Sequence, residues 1–145
     1  MPRVKNDLKD IYEFSCIIEV RMGDINIGGH VGNSQMIAIT HDARIKLFKE
    51  LGLTELNLGD GKTGTVVADI SANFKAEVFL DDNVVVRSQI GEILKSGFRL
   101  FQCVECNGKT AALIETGIVA FDFEERKGTA LPEVFKKRLQ DYLNR

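Results

Sequence analysis

Apolar and polar residues alternate with period two over several stretches of the chain and recur at spacings of three and four over two others. From Tyr12 to Met22, the residues Tyr12, Phe14, Cys16, Ile18, Val20 and Met22 fall on one side. Glu13, Ser15, Glu19 and Arg21 fall on the other, which predicts a half-buried strand. A glycine-rich loop follows, from Gly23 to Gly32, and Asn33 or Ser34 can cap a helix that starts there. Met36, Ile39, Ala43, Leu47 and Leu51 make the apolar stripe of that helix, and Gly52 supplies its stop. Ile37, Ala38, Ile45 and Phe48 widen the stripe, so the helix is expected to be buried on most sides.

After a loop from Leu53 to Gly64, alternation resumes over Thr65–Leu80, with Val66, Ala68, Ile70, Ala72, Phe74, Ala76, Val78 and Leu80 on one face. Strands are predicted over Val84–Ile93, Phe98–Cys106 and Thr110–Phe123. The turns between them are Asp81-Asp82-Asn83, Lys95-Ser96-Gly97 and the two-residue hairpin signal Asn107-Gly108. Glu124 to Gly128 reads as a polar link, and Pro132 opens a final amphipathic helix carrying Phe135, Leu139 and Leu143. The order is β-α-β-β-β-β-α. Four successive strands with short turns require an antiparallel sheet, and the long apolar helix must bury itself against it, so the fold class is α+β.

At 145 residues the chain is one domain, 1–145. Its 44% hydrophobic and 28% charged residues suit a packed soluble core and exclude a disordered chain. Lys and Arg total 19 against 21 Asp and Glu, a net charge of -2 that argues against nucleic acid or an anionic membrane as partner. No apolar run is long enough for a transmembrane helix, and the first residues lack the apolar stretch of a signal peptide. Three cysteines, Cys16, Cys103 and Cys106, suggest reduced thiols and a cytoplasmic location. Cys103 and Cys106 lie three apart within a strand, hence on opposite faces, and no metal site is expected of them. Gly59-Asp60-Gly61-Lys62-Thr63 imitates the end of a phosphate loop, but Leu56 stands at the required earlier glycine and a strand follows, so a surface loop is expected.

The chemistry is concentrated in the loop before the first helix. A glycine-rich turn at a helix N-terminus leaves backbone N–H groups pointing outward, where the partial positive charge suits a polarised carbonyl oxygen. Asp24, Asn26 and His30 share this loop, the parts for polarising a carbonyl and placing a water.

Val20, Arg21, Asp24, Gly29, His30, Val31 and Asn33 match the signature V-R-x-x-D-x-D-x-x-G-H-V-x-N. Through it the chain resembles acyl-CoA thioesterases of the 4-hydroxybenzoyl-CoA thioesterase type. Ala43-Arg44 and Leu51-Gly52 fit the family's helix, and Phe74 to Asp82 resembles its aromatic-x-x-Pro-x-x-x-Asp-Asp strand. The resemblance implies the hotdog fold, in which a curved antiparallel sheet wraps a central helix and protomers join as a homodimer or homotetramer. It implies hydrolysis of an acyl-CoA or acyl-carrier thioester, with no cofactor beyond the coenzyme A of the substrate. It also implies a carbonyl bound by backbone N–H groups near Gly32 and Asn33, in a cleft that Asn26 and His30 line and that is shared with the partner's helix or Phe74 strand, with Lys75, Lys95 and Arg99 as candidate phosphate ligands.

Two departures stand out. The family's second acid is Asn26 here, and Glu77 stands at its proline. An amide cannot serve as a base or a carboxylate nucleophile. His30 or Asp24 is then the base, with Asn26 holding water or substrate, or the chain is a non-catalytic acyl-CoA binding or sensing protein. His30 and Asp24 could equally serve only to hold the loop. His41 and Asp42, on the helix, could face a partner's substrate or simply pack.

Overall fold

The computed structural model describes residues 2–145. In chain order it contains β1 (Phe14–Glu19), a 3-10 turn (Met22–Asp24), α1 (Asn33–Glu50), β2 (Thr63–Phe74), β3 (Asn83–Ile93), β4 (Gly97–Cys106), β5 (Lys109–Asp122), β6 (Lys127–Gly128) and α2 (Glu133–Leu143). The strands form one antiparallel sheet in the order β1-β3-β4-β5-β2, with β6 added to β5. The sheet backs α1 on its inner face, and this is the hotdog arrangement that the resemblance implies.

Short hairpins set the register of β3, β4 and β5. Asn107 and Gly108 take positive φ angles of 52° and 77°, the pair of left-handed residues that a two-residue hairpin needs to match strand twist. Cross-strand partners then repeat down the inner face, Leu100 opposite Thr116 and Phe98 opposite Ile118. Under the first half of α1, Met36, Ile39 and Ala43 pack with Val84, Val86 and Ile114. Under its second half, Leu47, Phe48 and Leu51 pack with Leu100, Ile118 and α2. The Phe98 ring is the joint, 5.2 Å from Phe135 of α2 in a stack and 6.4 Å from Phe48 edge-on. The N-terminal arm crosses the outer face: Asn6 bonds Asn73, Lys9 lies over the Phe101 ring, and Gln89 donates to the carbonyl of Ile11.

The sequence pattern and the fold differ at several points. The first strand ends at Glu19, and Met22 sits in the 3-10 turn, 73% exposed. The capping position of α1 is Gly32, with Asn33 its first residue; the buried side is one stripe, and Ile45 faces outward. The second strand stops at Phe74, and Leu80 lies exposed on the following loop. A bulge between Val67 and Asp69 sets Ala68 out of register, so that Val66 pairs with Val119 while Ile70 pairs with Thr116. One extra residue shifts the alternation by one, which puts Val66 on the opposite face from Ile70, Ala72 and Phe74. Within the predicted polar link, Lys127 and Gly128 pair with β5. Gly59 to Lys62 is a surface loop, in which Asp60 accepts the N–H groups of Lys62 and of Thr63, the buried first residue of β2. Cys103 lies opposite Arg87 on the outer face and Cys106 lies in the inner core, both as free thiols.

Candidate active site

The loop before α1 is held by its own backbone. The N–H of Asn26 donates to the carbonyl of His30 at 2.9 Å, and the N–H of Gly29 donates to the carbonyl of Asn26 at 3.0 Å. Gly29 has φ 83°, a left-handed conformation that glycine adopts without penalty. The side chain of Asn26 is exposed, and its Oδ1 accepts the N–H of Gly28 at 2.9 Å, closing an Asx turn. Asp24 is buried, its Oδ2 accepting the N–H of Arg21 at 2.9 Å. Both side chains hold the loop.

Gly32 donates its N–H to the carbonyl of Asp24 at 3.2 Å, so that group is already engaged. The N–H groups of Asn33, Ser34 and Gln35 have no acceptor among the described residues; the first N–H satisfied inside the helix is that of Met36, on the carbonyl of Gly32. These are the free donors of a helix N-terminus, carrying the positive end of its dipole. Of the Gly32–Asn33 pair expected to bind a carbonyl, only Asn33 keeps a free N–H.

Asn33 opens onto a cleft of about 240 Å³, lined also by His30, Val31, Met36, Phe74, Lys75, Ala76 and Glu77. The apolar part of the wall is Val31, Met36 and the half-open Phe74 ring. Four of the residues expected from sequence thus share one cavity: His30, Asn33, Phe74 and Lys75. Asp24 and Asn26 lie in the loop behind it.

His30 meets a residue that sequence reasoning had noted only as a departure. Its Nδ1 lies 3.0 Å from Oε1 of Glu77. The chain leaves β2 at Phe74 and turns so that the carbonyl of Val78 accepts the N–H of Val31 at 2.8 Å. That bond places Glu77 beside His30. The available signal was the paired departure from the family pattern, an acid lost at position 26 and an acid gained at 77.

Lys95 and Arg99 lie elsewhere. Lys95 is in the β3–β4 turn, where its carbonyl accepts the N–H of Leu131. The guanidinium of Arg99 is clamped between Asp69, at 2.8 and 2.9 Å, and Glu115, at 2.7 and 2.8 Å. The hydrogen bonds it donates to Asp69 raise the pKa of Arg99 above its ordinary value, and the same pair lowers that of Asp69. A side chain at Gly117 would collide with this pair, so the glycine makes room for it.

A second histidine cluster lies along α1. His41 Nε2 contacts Glu55 Oε2 at 3.0 Å, and the buried Arg44 donates to Glu55 Oε1 at 2.7 Å. Burial opposes ionisation of Glu55, but the hydrogen bonds from His41 and Arg44 outweigh it and hold the carboxyl below its usual range. Asp42 approaches Arg21 at 4.0 Å. Both helix residues therefore have partners within the chain.

Among solved structures, a 1,4-dihydroxy-2-naphthoyl-CoA thioesterase from Synechocystis is similar, with TM-score 0.79 and 21% identity over 88% of this chain and 96% of that one. A thioesterase from Thermus thermophilus, in complex with coenzyme A and Zn, has TM-score 0.76 and 24% identity over 94% and 98% of the two chains. A gentisyl-coenzyme A thioesterase has TM-score 0.77 and 22% identity over 86% and 98%. At these identities the likeness establishes the fold. No curated protein matches the chain by sequence. The family model of the thioesterase-like superfamily matches residues 20–139, from the end of β1 to α2, and the chain belongs to that superfamily.

Proposed function

We propose that the protein hydrolyses an acyl-CoA thioester in the cleft between the N-terminus of α1 and the end of β2. The observation that carries this reading is the set of unpaired N–H groups at Asn33 and Ser34, beside a cleft that also holds an imidazole. The thioester carbonyl oxygen accepts from those N–H groups, whose fixed dipoles stabilise the charge that develops on it. His30 takes a proton from water, and the hydroxide forms a bond to the acyl carbon. The C–S bond then breaks, and the proton passes to the leaving thiolate. Water and thioester supply every atom, and the step needs no cofactor beyond the coenzyme A of the substrate. Lys75, on the cleft wall, is the candidate ligand for the phosphates of that coenzyme, a reading supported by the similar Thermus thioesterase, which is in complex with coenzyme A. A cytoplasmic location accords with this substrate.

The site is completed by a second copy of the chain. β2 is an edge strand, and Val67, Ile70 and Phe74 on it are each more than 40% exposed. An apolar open edge of this kind pairs readily with another strand, and a second β2 would extend the sheet while covering the Phe74 wall of the cleft.

A panel of acyl-CoA substrates, followed by the release of free thiol, tests the reading. Turnover of at least one acyl-CoA, lost on His30→Ala, is expected. The competing reading is an acyl-CoA binding protein, favoured by the amide at Asn26 where relatives keep an acid. Binding of acyl-CoA by calorimetry without thiol release from any member of the panel would establish that reading instead.

A further inference from the structure

The hydrogen bond between His30 and Glu77 does more than join two loops. At neutral pH an ionised carboxylate can only accept, so Nδ1 of His30 must carry the proton in this bond. The neutral ring then has its lone pair on Nε2. That atom has no hydrogen-bond partner among the described residues. Across the loop lies Gly28, where an added Cβ would sit 3.7 Å from Nε2 and 3.6 Å from Cε1. Because position 28 has no side chain, this edge of the ring stays uncovered. A carboxylate bound to one nitrogen and an open, basic second nitrogen are the arrangement by which a histidine is fixed in one tautomer for proton abstraction.

We propose that Glu77 is the positioning carboxylate of the reaction, holding His30 in the Nδ1–H tautomer so that Nε2 stays free to take a proton from water. This rests on the thioesterase reading given above. It explains the two departures together: the carboxylate missing at Asn26 is supplied from the opposite wall, and it acts through an imidazole instead of directly. Glu77 also stabilises the imidazolium formed once His30 has taken the proton, which a neutral residue at that position could not do.

Two measurements test this. In 15N-resolved histidine spectra, His30 is expected as the Nδ1–H tautomer, and Glu77→Gln is expected to abolish that preference, since a carboxamide can donate to Nδ1. His41, bonded to Glu55 through Nε2, serves as internal reference. In kinetics, Glu77→Gln should lower kcat roughly tenfold or more with KM little changed, part of the roughly 10²–10⁴-fold that general-base assistance supplies. The double variant His30→Ala/Glu77→Gln should be no slower than His30→Ala alone, because a residue acting through His30 has no effect once His30 is gone. An Nε2–H tautomer in the native protein, or losses that multiply in the double variant, would overturn the assignment. If no acyl-CoA is turned over, the thioesterase reading and the catalytic use of Glu77 fall together, while the spectra still report whether the pairing sets the tautomer.

Discussion

Val31 donates its backbone N–H to the carbonyl of Val78 at 2.8 Å, tying the loop before α1 to the segment that leaves β2. His30 precedes one partner and Glu77 precedes the other, and their side chains meet at 3.0 Å. Both valines are buried, so the bond is shielded from water and the spacing of the two walls of the cleft is fixed by the core. The pairing of His30 with Glu77 at the surface is set from beneath by a main-chain contact.

His30→Ala should lower kcat about 10²–10⁴-fold, the range of general-base assistance. Asn26→Asp should change it by less than about threefold, because that side chain lies outside the cleft and a carboxylate can accept the Gly28 N–H as the amide does. Initial rates of thiol release measure both. A large gain from Asn26→Asp would place the reaction in the loop instead of the cleft.

Lys75→Ala should raise KM for an acyl-CoA several-fold and leave kcat nearly unchanged, since a phosphate ligand of the kind proposed for Lys75 holds the substrate before and during reaction alike. Arg99→Ala should leave KM unchanged, because its guanidinium is satisfied by Asp69 and Glu115. Saturation kinetics on the two variants check the pair of expectations.

Ile70→Lys should break the assembly. It puts a charge into the middle of an exposed apolar edge without disturbing the inner core. Light scattering is expected to give a multiple of 16.2 kDa for the native protein and the single-chain mass for the variant, with activity lost in parallel. A native protein that stays monomeric at micromolar concentration would refute the shared site.

Acid should destabilise the protein in part through Glu55. Its carboxyl titrates lower in the folded state than in the unfolded chain, so the unfolded state binds the proton first. The stability gained from the ionised group is present above the unfolded value, about 4.3, and is lost as pH falls through the lower folded one. Thermal unfolding between about pH 5 and pH 2 should therefore show a steeper fall in Tm for the native protein than for Glu55→Gln.

Much of this protein is written locally. The strands β3, β4 and β5 follow from period-two alternation and short turns, and Asn107-Gly108 alone dictates the tightest hairpin, because two adjacent left-handed residues favour that turn. The helix follows from its stripe, and Gly52, with φ 71°, ends it where expected. The loop motif pointed to the free N–H groups at the start of α1, since glycines and a helix start are neighbours in sequence. What the chain could not announce was which groups oppose one another across the fold. The bulge at Ala68 reverses the faces of β2 by inserting one residue that no local pattern marks. Arg99 looks like a free cation until Asp69, thirty residues away, is folded against it. Glu77 is an ordinary surface acid in sequence and becomes the partner of His30 only when the end of β2 turns over the helix N-terminus, because hydrogen bonds between distant residues depend on the path of the backbone and not on spacing along it.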